Sequence, residues 1–276
     1  MNILDGKIIK KQILDEFKDK VNMLNVKPNF VVIQVGNNEA SNIYIRNKNK
    51  MAEYIGYNFN LVKFNENISE ELLLNEINKL NNDNNVHGIL VQMPLPSHIN
   101  TDKVQNAVSS LKDIDGLSDL NAGILFHKKN TLFPCTPLGV MELLKRYNIS
   151  VSGLNAVVVG RSNLVGKPMA MMLTNADATV TLCHSKTKNL GEITKRADLL
   201  VVAVGHPKLI TEDMVKEGAI VIDVGINKTD NGLCGDVDFE NVINKASYIT
   251  PVPGGVGQMT VAMLANNILE AYKMQK

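Results

Sequence analysis

The sequence predicts an α/β fold built from two domains. Strands and helices alternate in two separate series, one over about residues 30–94 and one over about residues 155–225. Such an order implies parallel strands joined by right-handed crossovers. A chain of 276 residues suits one large or two medium-sized domains, and the weakly patterned segment 110–134 separates the two series.

The first series follows an N-terminal stretch whose apolar residues, from Ile8 to Leu24, recur at helical spacing. Its elements are, in order, a strand at 30–36, a helix at 38–55, a strand at 58–64, a helix at 69–82 and a strand at 88–94. Segment 110–134 has little periodicity, and we expect it to be a functional connecting region.

The second series follows a helix expected near 137–147. Strands are predicted at 155–160, 178–183, 198–205 and 219–225, with helices at 166–176, 189–196 and 211–216. A last strand and a glycine-rich loop occupy 247–257, and a C-terminal helix is expected from about Thr260.

Composition excludes several classes of function. The formal net charge of +1 gives no overall field for nucleic acid or an anionic membrane. The three cysteines show no metal-ligand spacing, so we expect free thiols, a reducing, cytoplasmic environment and no metal. The N-terminus lacks the apolar core of a signal peptide, and no run of about 18 apolar residues predicts a membrane span.

A nucleotide site is indicated where the strand NAVVVG ends at Gly160. Gly160 and Gly166 flank a turn into a helix, which directs backbone N–H groups at a phosphate. The spacing is not GxGxxG, so an ordinary strand–helix turn stays open. The next strand ends CHSKTK (183–188), without the acid that binds the ribose of NAD. Arg161 and Ser185 would instead bind a 2′-phosphate, which favours NADP.

The helix at 38–55 predicts a candidate acid/base group. At about 100° per residue, one arc should face the interior; it comprises Ser41, Tyr44, Lys48, Met51, Ala52 and Ile55. Burial lowers the pKa of a lysine, so Lys48 is a candidate proton carrier near neutral pH. The alternative is a lysine that extends along apolar surface to water.

Three further features are ambiguous when taken singly. Gln92 lies at the carboxyl end of its strand, where open α/β sheets bind ligands, but it is also an ordinary polar strand end. Asp115 lies in the turn-forming segment KDIDG. The loop PVPGGVG (251–257) has a backbone open to close approach of a flat ligand.

Taken together, these segments resemble the methylenetetrahydrofolate dehydrogenase/methenyltetrahydrofolate cyclohydrolase family. The matching motifs occur in family order from about residue 30 to 264; they are Ser41 with YIRNK (44–48), VQMPLP (91–96), KDIDG (112–116), PCTP (134–137), GRSNLVGKP (160–168), CHSKT (183–187), GDVDF (235–239) and TPVPGGVGQMT (250–260). Eight motifs in order are far more specific than any one of them.

The resemblance implies two reactions at one site. 5,10-Methylenetetrahydrofolate gives a hydride to NADP, and the methenyl cation is then hydrolysed to 10-formyltetrahydrofolate. Members of the family are typically homodimers. Each chain has a folate-binding catalytic domain, here residues 1–134 plus 258–276, and a Rossmann-like NADP-binding domain, here residues 135–257. A cleft is expected at the carboxyl ends of both sheets, and the last helix returns to the first domain.

The resemblance also implies residue roles. Lys48 is the acid/base group, Gln92 tunes it, Tyr44 stacks on the folate and Asp115 holds the pterin edge. Ser41 assists near Lys48, and the loop residues Pro253, Gly254 and Gly255 contact substrate. The positions matching NADP contacts are Gly160, Arg161, Ser162, Ser185 and Ile226. Gln258 stands where the family usually has proline, which we expect to loosen the loop-to-helix join.

Two other functions compete with this interpretation. A two-domain NAD(P) dehydrogenase of an amino or hydroxy acid would not need Tyr44 and Lys48 together, and NADPH formation with methylenetetrahydrofolate separates the two. A non-catalytic folate- or nucleotide-binding protein should lack the acid/base residues, which are present in this chain.

Overall fold

A computed structural model of the chain describes residues 2–230 and 232–276. The strands are β1 (Asn2–Ile3), β2 (Asn29–Val35), β3 (Asn58–Phe64), β4 (Gly88–Val91), β5 (Asn155–Val159), β6 (Thr179–Cys183), β7 (Leu199–Val202), β8 (Ile220–Asp223), β9 (Asn227–Thr229), β10 (Gly232–Cys234) and β11 (Tyr248–Ile249). The helices are α1 (Gly6–Asn22), α2 (Glu39–Ile55), α3 (Glu70–Asn82), α4 (Thr101–Ala107), α5 (Asp119–Phe126), α6 (Cys135–Arg146), α7 (Gly166–Asn175), α8 (Leu190–Thr194), α9 (Phe239–Val242) and α10 (Val256–Met274), with a 3₁₀ turn at Glu212–Met214.

The chain divides into two compact units. The three-stranded unit contains Gln12–Cys135 and Val261–Lys276, and the six-stranded unit contains the chain up to Lys11 and Thr136–Thr260. Each has its own sheet of parallel strands, so the predicted two-domain α/β fold is confirmed. Within the described residues, no helix is long and apolar enough to cross a membrane.

The three-stranded unit has the strand order β3-β2-β4. β2 is buried at every position after Asn29, as expected for a central parallel strand covered on both faces. The Asn38 side chain caps α2 by accepting from the Ser41 amide at 3.0 Å, and α2 ends at Gly56, whose φ of 92° favours glycine.

The last helix packs into the three-stranded unit, which confirms the predicted return. The Tyr57 hydroxyl donates to the Ala265 carbonyl at 2.9 Å. The Gln275 side chain donates to the His87 carbonyl at 2.7 Å. Both partners of each bond belong to this unit, so the part of α10 from Val261 onwards belongs to it.

The six-stranded unit has the strand order β1-β11-β8-β7-β5-β6, and its strand pairs are parallel. Its core is formed by short runs of buried aliphatic residues, of which Leu199 to Val202 in β7 are fully covered. The carboxyl ends of β5, β6, β7 and β8 therefore meet at one edge of the sheet. The antiparallel hairpin of β9 and β10 follows β8.

Several predicted elements were wrong in extent or missing. The strand β1 was not predicted; its residues Asn2 and Ile3 pair with β11. The strand predicted to run to Pro94 ends at Val91, before two prolines that cannot donate to a ladder. The segment 110–134 contains α5, whose apolar residues are too evenly spread to give a helical period. α4, β9, β10 and α9 were not predicted.

Candidate active site

Helix α2 turns one stripe of residues into the three-stranded unit. Positions 41, 45, 48, 52 and 55 alternate by four and three, which is the spacing of a single helix face. Ser41, Ile45, Ala52 and Ile55 are buried, and Lys48 is partly buried among them. Tyr44 was expected in the buried arc, but it is 57% exposed; it lies about 60° from the centre of the stripe, outside its margin.

A hydrogen-bonded chain connects α2 to the end of β4. Lys48 Nζ donates to Gln92 Oε1 at 2.7 Å, and Gln92 Nε2 donates to the Met93 carbonyl at 2.9 Å. Ser41 Oγ donates to the same carbonyl at 3.1 Å. The backbone of Gln92 is itself fixed, since its backbone N–H donates to the Ile33 carbonyl of β2 at 2.8 Å. The lysine is thus held at a carboxyl end of the sheet.

The charges around Lys48 oppose one another. Burial lowers the pKa of Lys48, and the nearby Asp115 and Cys135 partly oppose this shift. Burial raises the pKa of Asp115, against the attraction of the Lys48 ammonium. Burial also raises the pKa of the Cys135 thiol well above its usual range. An ammonium that is easier to deprotonate can act as both proton donor and acceptor near neutral pH.

The loop that carries Asp115 is braced on both sides. Asp113 accepts from the amides of Gly116 at 3.0 Å and Ser118 at 2.8 Å, and from Asn121 Nδ2 at 2.9 Å. Gly116 has a φ of 70°, and a Cβ there would lie 2.3 Å from the Phe133 carbonyl carbon. The tight approach requires glycine, and it leaves the Asp115 backbone little freedom.

Asn267 and Cys135 were not selected from the sequence as site residues. Asn267 is 1% exposed and its Nδ2 donates to the carbonyls of Ile114 at 2.9 Å and Phe133 at 2.8 Å. The same nitrogen lies 3.5 Å from Cys135 Sγ. The only sequence signal for Asn267 is a polar residue on the buried face of the C-terminal helix.

At the edge of the six-stranded unit, two glycines form the turn after β5. Gly160 has a φ of 126°, and a Cβ there would lie 2.2 Å from the Ala203 carbonyl oxygen. A Cβ on Gly166 would lie 2.0 Å from the Gly160 carbonyl oxygen. Ser162 Oγ accepts from the amides of Val165 at 3.2 Å and Gly166 at 3.4 Å. The turn therefore brings bare backbone to the start of α7, a geometry that fits a phosphate group.

Arg161 and Ser185 follow adjacent strands at equal distances. The register pairs Val159 with Cys183, and the Gly160 amide donates to the Cys183 carbonyl at 2.9 Å. Arg161 and Ser185 each come two residues after this pair and are exposed. They are thus at the same edge of the sheet.

The remaining predicted contacts also lie in the six-stranded unit. Ile226 is 56% exposed after β8, and a Cβ on Gly257 would lie 3.3 Å from its Cδ1. In the loop of Pro253, Gly254 and Gly255, Gly254 has a φ of 119° and the Gly255 amide donates to the Pro251 carbonyl at 2.8 Å.

Gln258 braces the start of α10, contrary to the expected loosening. The helix begins at Val256 and not near Thr260, so Gln258 lies inside its first turn. Its amide donates to the Gly255 carbonyl at 3.1 Å, a bond that proline could not make. Its Oε1 accepts from Lys10 Nζ at 3.2 Å.

The predicted site residues thus form two groups, described separately. Ser41, Tyr44, Lys48, Gln92 and Asp115 belong to the three-stranded unit, and the remaining residues belong to the six-stranded unit. Lys48, Gln92 and Ser41 are joined by hydrogen bonds, while Tyr44 is on the exposed margin of the same helix.

The chain is similar to known proteins along nearly its whole length. Two family models match: the catalytic domain of tetrahydrofolate dehydrogenase/cyclohydrolase over residues 4–115, and its NAD(P)-binding domain over residues 134–276. The "Bifunctional protein FolD" of Agathobacter rectalis is 51% identical over 276 residues, covering 99% of each chain.

Solved structures give the same result. The bifunctional FolD methylenetetrahydrofolate dehydrogenase/cyclohydrolase from Campylobacter jejuni has 50% identity and a TM-score of 0.98, with 100% of both chains covered. The Trypanosoma brucei enzyme, solved with NADP and an inhibitor, has 37% identity and a TM-score of 0.92, covering 99% of this chain and 97% of that one. This chain belongs to the tetrahydrofolate dehydrogenase/cyclohydrolase family.

Proposed function

We propose that this chain is a bifunctional enzyme that oxidises 5,10-methylenetetrahydrofolate with NADP and hydrolyses the product to 10-formyltetrahydrofolate. The observation that carries the proposal is Lys48, partly buried and bound to Gln92, beside Asp115. A dehydrogenase alone has no need of such a lysine. Hydrolysis does, because protons must move when water adds and the ring opens.

The dehydrogenase step depends on binding and orientation. NADP, when bound, supplies the acceptor for the hydride, and the backbone turn at Gly160 together with Arg161, Ser162, Ser185 and Ile226 would hold it. The exposed ring of Tyr44 would stack on the folate, and Asp115 would accept hydrogen bonds from the pterin edge. The methenyl cation is delocalised over two nitrogens, so positioning supplies most of the acceleration.

The cyclohydrolase step depends on Lys48. As the free amine, Lys48 Nζ takes a proton from the water that attacks the methenyl carbon. As the ammonium, it returns a proton to the ring nitrogen that leaves when the ring opens. Gln92 fixes Nζ by accepting its hydrogen bond, and Ser41 supports Gln92 through their shared partner, the Met93 carbonyl.

An assay of both reactions on purified protein tests the proposal. NADPH formation is measured with methylenetetrahydrofolate and NADP, and again with NAD. Hydrolysis is measured with methenyltetrahydrofolate in the absence of nucleotide. We expect both activities and a preference for NADP. Oxidation without hydrolysis would leave a simple dehydrogenase, and binding without turnover would leave a non-catalytic folate-binding protein.

The homodimer belongs to the same proposal. β3 is an edge strand that pairs with β2, and among the described residues no strand pairs with its other side. β3 carries Leu61, whose side chain is 40% exposed. A second copy of the chain that packs against β3 would cover its unpaired edge and the Leu61 side chain. Light scattering should give twice the chain mass, and Leu61→Lys should lower it towards the monomer. A monomeric wild-type protein would contradict the dimer.

Location and functional boundaries also remain proposals. Cys135, Cys183 and Cys234 are free, in keeping with the reducing cytoplasm that we propose for the enzyme. The division of binding between residues 1–134 with 258–276 for folate and 135–257 for NADP stays a prediction.

A further inference from the structure

A buried aspartate lies behind the carboxyl edge of the six-stranded unit. Asp236 is 0% exposed, and its carboxylate accepts four hydrogen bonds. Three come from consecutive backbone amides, those of Val204 at 2.7 Å, Gly205 at 2.9 Å and His206 at 2.9 Å. The fourth comes from Asn227 Nδ2 at 2.9 Å.

These bonds join two loops that follow adjacent strands. Residues 203–206 follow β7, and Asn227 begins β9, directly after Ile226 in the loop from β8. The first loop also touches the turn after β5, since a Cβ on Gly160 would lie 2.2 Å from the Ala203 carbonyl oxygen. One carboxylate thereby sets the relative position of loops at the edge where open parallel sheets bind ligands.

A second aspartate holds Asp236 in place. Asp223 Oδ1 accepts from the Asp236 amide at 2.9 Å, and its Oδ2 accepts from the Val237 amide at 2.8 Å. The fit is tight, since a Cβ on Gly225 would lie 2.2 Å from Asp236 Cγ and one on Gly235 only 1.8 Å from Asp223 Oδ2. The two oxygens of the Asp236 carboxylate together satisfy the three amides in this space.

We propose that Asp236 is a positioning residue of the NADP site, which holds the loops after β7 and β8 in the shape that binds the cofactor. The proposal rests on the proposed function of the six-stranded unit. Asp236 is 0% exposed, so it acts through Val204, Gly205, His206 and Asn227 and not by contact with the nucleotide. The hydrolysis of methenyltetrahydrofolate uses no NADP and should not depend on it.

The test is Asp236→Asn in the full chain. The amide keeps one acceptor oxygen for Val204 and Gly205, but its NH₂ group faces two donors, His206 N and Asn227 Nδ2. We expect the dissociation constant for NADP, measured by calorimetry without folate, to rise by about tenfold or more. The KM for NADP should rise with it, while hydrolysis of methenyltetrahydrofolate stays near the wild-type rate.

A swapped pair separates positioning from general damage. In Asp236→Asn with Asn227→Asp, the bond between these two residues is restored with donor and acceptor exchanged, so NADP affinity should partly recover. Asn227→Ala leaves the three amide bonds intact, frees the Ile226 loop, and should weaken NADP severalfold even if Asp236→Asn does not fold. The control is Asp238→Asn, which removes a partly exposed ion pair with Lys208 and should leave both activities unchanged.

Two results would overturn the proposal. One is an unchanged NADP dissociation constant in folded Asp236→Asn or in Asn227→Ala. The other is an equal fall of both activities, which would make Asp236 a general stability residue. Wild-type protein that fails to bind NADP would instead contradict the proposed function itself.

Discussion

Lys48 shows how a single residue acquires its chemistry from its neighbours. It occupies a position of the α2 stripe that an aliphatic residue would normally fill, and the resulting loss of water lowers its pKa. The bond to Gln92 Oε1 at 2.7 Å fixes the direction of Nζ. Asp115 limits how far the pKa falls, because it favours the ammonium. The group is therefore suited to exchange protons in both directions.

Replacing Lys48 should damage the two activities unequally. We expect Lys48→Gln to lower cyclohydrolase activity by at least ~100-fold, the usual effect of losing an acid/base group. Dehydrogenase activity should fall less, since it depends on stacking and on the NADP site, and methenyltetrahydrofolate should accumulate. Both rates are measured on the same preparation, and a thermal melt checks that the variant is folded. Lys50→Gln, an exposed lysine of the same helix, is the control. Normal hydrolysis by folded Lys48→Gln would disprove the mechanism.

Arg161 should decide between the two cofactors. A charge-assisted contact to the 2′-phosphate contributes about 1.5–3 kcal/mol, or about ten- to a hundredfold in affinity. Arg161→Ala should therefore raise the dissociation constant for NADP far more than that for NAD. Lys188 is exposed, and Lys188→Ala should leave the ratio of the NADP and NAD dissociation constants near that of the wild type. Equal weakening of both nucleotides would mean that Arg161 does not bind the 2′-phosphate.

At the scale of elements, α10 contributes more than a closing helix. Its first turn carries Gln258, which bonds to Lys10 and to the glycine-rich loop, within the six-stranded unit. Its later turns belong to the three-stranded unit, where Asn267 holds the Ile114 and Phe133 carbonyls. Asp115 is the residue after Ile114, so the geometry of the proposed folate contact depends on this helix.

Removing the Asn267 amide should therefore affect stability and folate binding together. Asn267→Ala leaves the Phe133 carbonyl without this donor and the Ile114 carbonyl with only the weak thiol of Cys135. We expect a loss of about 1–3 kcal/mol in the free energy of unfolding, measured by urea titration. The KM for methylenetetrahydrofolate should rise while that for NADP stays unchanged. Asn266→Ala, the partly buried neighbour, should change neither. A rise in both KM values would argue against a local effect on Asp115.

At the scale of the whole molecule, stability should carry a pH dependence from the six-stranded unit. Burial raises the pKa of Asp223 from 3.8 to about 6. The native state thus holds a proton that the unfolded chain has released between about pH 4 and pH 6. Because the folded pKa is the higher one, this group's contribution to stability falls as pH rises through that window, by up to about 3 kcal/mol.

Comparison with Asp223→Asn isolates this contribution. The asparagine does not titrate, so the unfolding free energy of the wild type minus that of the variant should fall steadily from pH 4 to pH 6. It should then stay constant above about pH 7, where Asp223 is ionised in both states. Urea titrations at each pH measure it. Parallel curves for the two proteins across this window would show that the pKa of Asp223 is not raised.

Local patterns were sufficient for much of this protein. Apolar runs predicted β2 and β3, and helical spacing predicted α2 and α3, nearly to their observed bounds. The order of eight motifs indicated the family. These features were predictable because burial of one face imposes a period on the residues that form it. The expected preference for NADP likewise follows from which side chains come after β6.

Other features were decided only by tertiary structure. The two-residue strand β1 exists because β11 offers an edge, which no local propensity records. Tyr44 is exposed although its helical position placed it in the arc expected to face the interior. Asn267 and Asp236 act on backbone groups far along the chain, and their partners become known only when the chain has folded. The spacing of apolar residues in a sequence shows which face of a helix or strand is buried. Hydrogen bonds between distant residues depend instead on where the fold brings their atoms.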